Sequence, residues 1–489
     1  MTAVRRVLPA EPLTRLDDYV EQGGGAALGD ARRVDPETII SELEASGLRG
    51  RGGAGFPTGV KWRTVAQNRA AALPTTVVVN AAEGEPGTFK DRAIIRANPY
   101  HVLEGALIAA RAVGADLVVV ALKRSFTPEV QRMRAAVREV EAAGWTDGVR
   151  IEVFEGPDEY LYGEETALLE VLDGRQPFPR IAPPFRRGVD EVVVTPADLT
   201  SESGLANRVE MAGPMHSDAP PALVDNVETL ANVPAIVTNG AAWFRAVGTE
   251  RSPGTIVCTV SGSTVPGVGE YAMGTPIREV IDDLGQLRPR RRVKAVLPGV
   301  SSGVLLPEHL DTPLTYEDME AAGSGLGSAG FIVVDDSVDA VSFAAGASRF
   351  LAVESCGQCT PCKQDGLAIA ELLERLCDSD ATPDDYAELL DRIGTVADGA
   401  RCSLGRQHEA VIGSIVRCFD PELRVHIDHG AKPVDSMLVA ELLSVDGDVA
   451  VWDEHHREKQ PDWTFDDTYS GQAPADRFGD HRAGDQGSA

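Results

Sequence analysis

The sequence predicts three consecutive structural units: an α/β domain, a small α+β module and a helical bundle. Short β-branched runs alternate with helical patterns between residues 76 and 154, which is typical of βαβ units around a mostly parallel sheet. A hairpin pattern with one helix and one further strand then fits a small mixed module. Apolar residues recur at helical spacing in four segments after about residue 335, which indicates a bundle.

In the α/β domain, Asp35-Pro36-Glu37 combines a capping side chain, a first-turn proline and an early acid, and so predicts a helix start. We expect that helix to stop near Gly47. The later helices start at Asn98-Pro99 and Thr127-Pro128 for the same reason and end near Val113 and Gly144. The apolar runs between the helices predict buried strands at 76–79, 117–122 and 151–154.

The smaller module is predicted from a hairpin over 254–271, a helix over 274–284 and a strand over 293–297. The bundle helices are expected at 340–352, 361–377, 383–397 and 406–419. The expected units in chain order are an N-terminal lead with little fixed structure (1–34), the α/β domain (35–245), the α+β module (250–325), the helical domain (335–425) and a C-terminal extension (426–489). The extension is expected to be disordered from about residue 459, where large aliphatic residues are few.

Composition limits the classes of partner. The formal net charge of -29 argues against nucleic acid and anionic membrane as main partners, because both favour a basic face. We see no signal peptide, and no run approaches the roughly 18 apolar residues of a membrane span. The protein is therefore expected to be cytoplasmic, or peripheral to a membrane complex, without direct membrane insertion.

Four cysteines carry the clearest chemical signal. Cys356, Cys359 and Cys362 follow one another at two-residue gaps, and Cys402 lies further on. A tight turn can direct three thiolates at one inorganic group and leave one position for a distant ligand, which suits a [4Fe–4S] cluster. A structural zinc site is the alternative, although its ligands usually come as two pairs. Disulfides are not expected, because 7 cysteines in 489 residues is sparse.

A glycine-rich loop, Gly50–Gly59, precedes the first predicted strand. Glycines let a backbone approach a ligand closely, and successive N–H groups can form a nest for phosphate. Lys61 can add a positive charge and Phe56 an aromatic face. The spacing differs from the G-x-G-x-x-G dinucleotide fingerprint, and a simple tight turn remains the alternative.

Two acidic clusters strengthen the case for a ligand site. One, Asn80–Arg92, directly follows a predicted buried strand, and the other is Tyr160–Thr166. Ligands of α/β sheets collect at the carboxyl ends of strands, where carboxylates can accept hydrogen bonds from ribose, ribityl or amide groups. Either cluster alone could be a set of solvated loop acids, but both together with the loop favour a binding site.

These motifs resemble one known family. Residues 49–62 are similar to the FMN- and NADH-binding loop of the flavoprotein (F) subunit of respiratory complex I and of the diaphorase subunits of NAD-linked hydrogenases and formate dehydrogenases. Further family motifs match in the same order and extend the resemblance over about residues 35–425: 83–92, 163–169, 226–233 and the iron–sulfur signature 354–362. The resemblance implies a Rossmann-like FMN domain, a β-grasp (SLBB-like) module and a helical [4Fe–4S] domain.

The resemblance also implies an activity and a set of site residues. The activity is NADH dehydrogenase (diaphorase): hydride passes from NADH to FMN, and single electrons then pass to a [4Fe–4S] cluster held by the four cysteines and on to other electron-transfer subunits or an acceptor protein. Phe56 and Phe185 are implied to stack on the adenine, and Glu85 and Glu165 to face the nicotinamide or its ribose as candidate catalytic residues. The implied FMN contacts are Gly50, Gly52, Lys61, Asn80, Glu85, Gly163, Glu164, Glu165, Asn226 and Thr229.

The chain departs from the family pattern around the nucleotide. Thr64 stands where a second stacking Phe is common, and Ala182 where a Lys is common. Ala82, Tyr162 and Asp225 replace an Asp, a Cys and an Asn of the pattern. We therefore expect weak NADH affinity, with Arg186 or Arg187 compensating. A flavin/Fe–S relay fed by a protein donor and a non-enzymatic Fe–S assembly scaffold are the alternative functions.

Overall fold

A computed structural model describes residues 4–69, 74–189, 220–287 and 289–462. Its first sheet contains four parallel strands in the order β3-β2-β1-β4. The bounds are Thr75–Ala81 (β1), Ala115–Lys123 (β2), Arg150–Gly156 (β3) and Ala222–Asn226 (β4). The three predicted strands are therefore confirmed and each is slightly longer than expected, whereas β4 was not predicted.

Helices surround this sheet, and the three predicted ones begin at or within one residue of the expected starts. The Asn98 side chain accepts the N–H of His101 at the start of one helix, and that helix ends at Gly114 with a positive φ of 65°. The helix that starts at Pro36 ends at Gly47, whose φ is 70°. The helices of this region span Pro36–Ser46, Thr58–Gln67, Lys90–Ala97, Pro99–Val113, Thr127–Ala142, Glu165–Leu172, Val227–Asn239 and Ala241–Arg245.

The N-terminal lead is ordered over its described part, so the expectation of little fixed structure is wrong. It contains the helices Leu16–Glu21 and Ala26–Arg33. A buried carboxylate, Glu104, accepts hydrogen bonds from the Tyr19 hydroxyl (2.6 Å) and from the backbone N–H groups of Gly25 and Leu28. These partners are far apart in sequence, which is why local composition did not reveal them.

A second carboxylate holds the start of the described chain. One oxygen of Glu270 accepts the backbone N–H groups of Arg6, Val7 and Leu8, each at 2.9 Å. The other oxygen accepts the hydroxyl of Thr255 at 2.5 Å. The first residues are thus anchored to a strand of the following module.

That module is built on a mixed four-stranded sheet in the order β6-β5-β8-β7. Its strands are Thr255–Gly262 (β5), Gly267–Ala272 (β6), Val293–Leu297 (β7) and Gly330–Asp335 (β8), and its helices are Ile277–Leu284 and Tyr316–Ala321. β5 pairs antiparallel with β6 and parallel with β8. The predicted hairpin, helix and strand are confirmed, but β8 was missed and extends the sheet beyond residue 325.

Four helices form the C-terminal bundle, as predicted: Ala340–Glu354, Thr360–Cys377, Pro383–Thr395 and Leu404–Arg424. The last helix is kinked at Phe419, where φ is -121° and ψ is 19°. One helix starts within the cysteine triple, directly after Cys359, and another starts two residues after Cys402.

Residues 434–462, called the C-terminal segment below, follow the bundle. They include a hairpin of Leu442–Asp446 (β9) and Val449–Trp452 (β10) and a short 3₁₀ turn, Glu454–Arg457. Val439, Ala440 and Leu442 are buried. The predicted disorder from about residue 459 is wrong for Lys459, which is only 3% exposed, and the rest of that prediction, residues 463–489, lies outside the described residues.

Across the described ranges, we find no helix with both the length and the apolar character needed to cross a membrane.

Candidate functional site

Polar side chains lie at the carboxyl ends of two neighbouring strands. Asn80 on β1 and Asn226 on β4 are paired in register, and both are partly exposed although the strand residues before them are buried. The Asn80 side chain donates to the carbonyl of Gly163 at 2.8 Å, which brings the second acidic cluster to the same edge. The parallel sheet therefore brings the two acidic clusters together, as the sequence predicts.

Hydrogen bonds made by Arg51 hold the glycine-rich loop at this edge of the sheet. The backbone N–H of Arg51 donates to the hydroxyl of Thr229 at 2.8 Å, and the buried Arg51 guanidinium donates to the carbonyls of Thr255 and Pro253. Thr229 is itself fully buried. Its hydroxyl therefore holds the loop in place, and it can affect a ligand through the position of the loop.

At two glycines, the loop backbone passes close to neighbouring side chains. A Cβ added at Gly52 would lie 3.2 Å from the Cβ of Asn226, so the loop backbone passes directly beside that strand end. Gly55 has a φ of +61°, and an added Cβ would lie 2.4 Å from the Tyr316 ring. The Tyr316 hydroxyl donates to the carbonyl of Gly50 at 2.7 Å. Side chains at Gly52 or Gly55 would displace the loop from the site.

Lys61 supplies the positive charge of the site. Its ammonium lies 2.7 Å from Glu165 and 3.8 Å from Asp225, and it donates to the carbonyl of Val224 at 2.6 Å. Burial disfavours the charged lysine, but the two carboxylates outweigh this effect and raise the pKa of Lys61. The lysine therefore stays charged at neutral pH and is shared by two acids.

Of the two carboxylates that contact Lys61, Asp225 is buried and has a shifted pKa. It is only 5% exposed and also accepts the indole N–H of Trp62 at 2.6 Å. Burial raises the pKa of Asp225 to about 6, although Lys61 and Trp62 favour its ionised form. This residue can therefore change its charge close to neutral pH.

Glu85 is held by two groups that the sequence left unassigned. One oxygen accepts the Tyr160 hydroxyl at 2.7 Å and the other accepts the backbone N–H of Val300 at 2.7 Å. Burial raises the pKa of Glu85, and these two hydrogen bonds oppose the rise. Tyr160 lies in the second acidic cluster, but the sequence assigns it no role. Val300 is 215 residues from Glu85, so no local sequence pattern predicts their contact.

Glu164 and Gly163 shape the site from the second acidic cluster. Glu164 accepts the N–H groups of Thr166 and Ala167 and so caps the helix that follows. Burial raises the pKa of Glu164, and these bonds oppose the rise. A Cβ at Gly163 would lie 2.8 Å from the carbonyl oxygen of Ala82, so the turn lies flat against the end of β1.

A group of buried charged side chains contacts Asn226 at the end of β4. Lys90 lies 2.7 Å from Asp91 and 3.1 Å from Glu228, and it donates to the amide oxygen of Asn226 at 3.2 Å. The Asn226 amide donates in turn to Asp91 at 2.7 Å. Burial disfavours the charge of Lys90, but its acidic neighbours outweigh that effect and raise the pKa of Lys90. Asn226 is therefore fixed in orientation by the charges beneath it.

The two phenylalanines that the resemblance assigns to nucleotide stacking differ in their exposure to solvent. Phe56 is 54% exposed, whereas Phe185 is partly buried and packs against the core of the α/β domain. The Arg186 guanidinium lies 5.9 Å from the centre of the Phe185 ring. Thr64 uses its hydroxyl within its own helix, donating to the carbonyl of Val60 at 2.8 Å.

The four predicted cysteine ligands come together. Cys356, Cys359, Cys362 and Cys402 line one cavity, together with Leu161 and Pro179 from the α/β domain. All four are free thiols, two buried and two partly exposed. Helices starting at Thr360 and Leu404 direct their N-terminal ends toward this cavity, and the helix dipole favours negative charge there.

Hydrogen-bond donors surround the sulfurs. The Gln358 amide lies 3.5 Å from the sulfur of Cys356, and the backbone N–H of Arg401 lies 3.4 Å from that of Cys359. The Ser355 hydroxyl lies 3.3 Å from the sulfur of Cys362. Such donors suit the anionic sulfurs of an iron–sulfur cluster. Burial raises the pKa of Cys402 to about 12, so this thiol needs a nearby cation to lose its proton.

Four cysteines around one cavity are the ligand set that a [4Fe–4S] cluster requires. Within the described ranges, no three His, Cys, Asp or Glu side chains converge closely enough to hold a single metal ion.

The donor set at the strand ends also fits FMN. Side-chain amides at Asn80 and Asn226 can bond a polar isoalloxazine edge or ribityl chain, and Lys61 with the glycine-rich loop can receive a phosphate. Gly52 and Gly163 lie close to the ends of the two strands, and a side chain at either position would displace the loop or the turn from the site.

One turn belongs to both sites. Tyr160–Gly163 contributes Tyr160 to Glu85 and the Gly163 carbonyl to Asn80, while Leu161 lines the cysteine cavity. The two sites are therefore immediate neighbours across this turn.

Comparison with known families gives two matches. Residues 43–235 match the Nuo51 FMN-binding domain, and residues 342–426 match the NADH-ubiquinone oxidoreductase-F iron-sulfur binding region.

Similar proteins cover most of the chain. The NADH-quinone oxidoreductase F subunit of Mycobacterium tuberculosis is 38% identical over 432 residues, which cover 85% of this chain and 91% of the relative. The NADH-quinone oxidoreductase F 2 subunit of Rhizobium meliloti is 36% identical over 430 residues, covering 86% of this chain and 96% of the relative. A crystal structure of an NAD+-reducing [NiFe]-hydrogenase in the H2-reduced state aligns with a TM-score of 0.72 and 32% identity, covering 85% of this chain and 67% of that one.

Proposed function

The chain belongs to the family of NADH-quinone oxidoreductase F subunits, and we propose that it is the electron-input subunit of a multi-subunit oxidoreductase. It is an NADH dehydrogenase that carries FMN and a [4Fe–4S] cluster and passes electrons to partner electron-transfer subunits. When bound, FMN supplies a hydride acceptor and the cluster supplies one-electron transfer.

The main support for this proposal is that the turn Tyr160–Gly163 contributes residues to both sites. Electron input by hydride and output by single electrons requires the two cofactor sites to be neighbours. Glu85 and Asn80 on one side of the turn and the cysteine cavity on the other meet that requirement.

The FMN site is proposed at the carboxyl ends of β1 and β4. Asn80 and Asn226 are oriented by Gly163 and by the buried charges beneath Asn226, and Lys61 places a positive charge beside the loop. The proposed FMN contacts are Gly50, Gly52, Lys61, Asn80, Glu85, Gly163, Glu164, Glu165 and Asn226, with Thr229 acting through the loop it holds.

For NADH, we propose that Phe56 and Phe185 bind the adenine and that Glu85 and Glu165 face the nicotinamide ribose. No side-chain acid or base is needed for hydride transfer, so the role of these carboxylates is to bind and orient. The hydrogen bonds from the Tyr160 hydroxyl and the Val300 N–H fix Glu85, which suits a carboxylate that accepts hydrogen bonds from ribose hydroxyls.

We also propose a cytoplasmic location, since all seven cysteines are free thiols and a reducing compartment keeps cluster ligands available.

The test is an anaerobic titration of the purified holoprotein with NADH, followed by flavin absorbance and by the cluster EPR signal. We expect FMN, iron and sulfide in the protein, bleaching of the flavin by NADH, and then a reduced cluster signal. Lys432→Ala, which changes an exposed lysine of the C-terminal extension, serves as the control variant. If saturating NADH leaves a bound flavin oxidised, the diaphorase function is wrong and a relay fed by a protein donor replaces it.

A further inference from the structure

The C-terminal segment, 434–462, lies outside both family-matched regions yet contacts both cofactor-bearing parts of the chain. On the bundle side, Val434 donates its N–H to the carbonyl of Cys377 at 2.9 Å, and Met437 donates to that of Ser342 at 3.0 Å. A Cβ at Gly346 would lie 1.9 Å from the carbonyl oxygen of Met437, so the helix carries a glycine where the segment crosses it. The segment is thus packed into the bundle surface.

On the α/β side, the segment is held by a buried ionic contact. The Glu441 carboxylate lies 2.5 Å from the ammonium of Lys123 and 3.6 Å from the guanidinium of Arg92. Both cations are 1% exposed. Arg92 also pairs with Glu83 at 2.9 Å, in the first acidic cluster. The segment therefore reaches the elements that support the proposed flavin site.

The end of the segment converges on Glu354, two residues before Cys356. The Lys459 ammonium lies 2.6 Å from one oxygen of Glu354, and His456 lies 3.2 Å from the same oxygen. The other oxygen accepts the backbone N–H of Tyr160 at 3.1 Å. Lys459 and Glu354 are both about 4% exposed, so neither charge is compensated by water.

This geometry joins the segment to both sites in one chain of contacts. Lys459 holds Glu354, Glu354 holds the Tyr160 turn, and the Tyr160 hydroxyl holds Glu85. The Tyr160 ring packs edge-on against Phe350, at 5.2 Å between ring centres, and the His456 ring stacks on the same Phe350 at 4.8 Å.

We propose that Lys459 is a positioning residue for electron transfer between the two cofactor sites. It fixes Glu354, and through Glu354 it fixes the spacing between the Cys356 loop and the Tyr160 turn. Its positive charge also offsets part of the buried negative charge of Glu354 beside a cluster ligand, and so contributes to the electrostatic potential at the cluster. The inference rests on the proposed function.

The experiment compares Lys459→Met, which removes the charge and keeps the length, with Lys459→Arg, which restores the charge. Lys432→Met is the matched control, because Lys432 is an exposed lysine of the same extension. Three quantities are measured on each holoprotein: the midpoint potential of the cluster by EPR-monitored titration with dithionite, the rate of flavin reduction by NADH, and the rate of cluster reduction after it.

In Lys459→Met, we expect the cluster potential to shift to lower values, because the loss of one positive charge beside Glu354 disfavours the added electron. Cluster reduction should slow by about tenfold or more, since small displacements of reacting groups have effects of this size. Flavin reduction by NADH should change by less than about twofold, because the contacts that link Lys459 to Glu85 pass through both Glu354 and the Tyr160 turn. Lys459→Arg should restore most of both properties, and Lys432→Met should match the wild type.

An unchanged cluster potential and an unchanged cluster reduction rate in Lys459→Met would overturn the inference. If Lys459→Met fails to fold, the double variant Glu354→Gln with Lys459→Met removes both charges together. The cluster potential should then stay near the wild-type value while the ionic contact is lost, and a wild-type rate of cluster reduction in that variant would overturn the positioning role. Failure of NADH to reduce the wild-type flavin would instead remove the proposed function, while the dithionite titration would still decide the effect of Lys459 on the cluster.

Discussion

The hydroxyl of Tyr160 donates a 2.7 Å hydrogen bond to Glu85, while the backbone N–H of the same tyrosine donates to Glu354 at 3.1 Å. One residue thus connects a carboxylate of the proposed nucleotide site with a carboxylate beside the cluster loop. A change at Tyr160 should consequently affect both sites.

Tyr160→Phe should raise the pKa of Glu85 further, because it removes a hydrogen bond that stabilises the ionised carboxylate. The acidic limb of the pH profile of kcat/KM for NADH should therefore move to higher pH, as measured by steady-state assays across pH. Tyr162→Phe is the control, since the buried Tyr162 hydroxyl has no hydrogen-bond partner among the residues the structure describes. Identical profiles for wild type and Tyr160→Phe would contradict the assigned role.

Lys61→Ala should weaken FMN retention by about 1.5–3 kcal/mol, the range for a charge-assisted hydrogen bond. It also leaves Glu165 and Asp225 without their shared cation, which adds repulsion toward a phosphate. The measurement is the dissociation constant of FMN by fluorescence titration of deflavinated protein. Lys61→Arg keeps the charge and should retain more flavin than Lys61→Ala, and equal loss in both would argue against an electrostatic role.

Thr64→Phe combined with Ala182→Lys should tighten NADH binding. An added stacking face contributes about 0.5–1.5 kcal/mol, and an added cation contributes about 1.5–3 kcal/mol if partly buried. The sum corresponds to a gain of about 30- to 2,000-fold if both groups reach the nucleotide. Anaerobic equilibrium titration with NADH measures it. No gain in affinity would mean that the bound nucleotide contacts neither residue 64 nor residue 182.

Asp225→Asn should change how stability depends on pH. The pKa of Asp225 is about 6 in the folded protein, above its ordinary value, so its contribution is present at low pH and is lost as pH rises through about 6. Between about pH 5 and about pH 8, the wild type should lose about 1–1.5 kcal/mol relative to Asp225→Asn. Denaturant unfolding at both pH values measures the difference, with Asp398→Asn, at an exposed position, as the control.

Cys402→Ala should abolish the [4Fe–4S] cluster, because it removes the one ligand supplied from outside the cysteine triple. Iron and sulfide analysis together with the reduced EPR spectrum measures the loss. Cys418→Ala changes an exposed free thiol and should keep a full cluster. Retention of a full cluster in Cys402→Ala would show that another residue is the fourth ligand.

The sequence predicted those parts of the fold whose signals are local. The cysteine spacing, the helix-start patterns at Asp35-Pro36 and Asn98-Pro99 and the β-branched runs each extend over a few residues, and the elements they predict are present. β4 and β8 were missed, because β4 is a five-residue strand and β8 follows a glycine-rich turn without a clear alternation.

The site was only partly predictable for a physical reason. The motifs named Glu85, Lys61 and Asn226, but their orientation depends on contacts between distant segments, such as Val300 with Glu85 over 215 residues. The ordering of the C-terminal segment likewise depends on Glu354 and Arg92, which lie in other units of the chain. Composition alone describes none of these pairings.

The anchoring of Arg6, Val7 and Leu8 by Glu270 has a consequence for biosynthesis. The acceptor lies 262 to 264 residues downstream of these donors, so it leaves the ribosome long after them. At roughly 5–20 residues per second, the delay is about 15 to 50 seconds. Throughout that interval these N–H groups lack the carboxylate that accepts them in the folded protein, and a chaperone that binds emerging chains would meet them first.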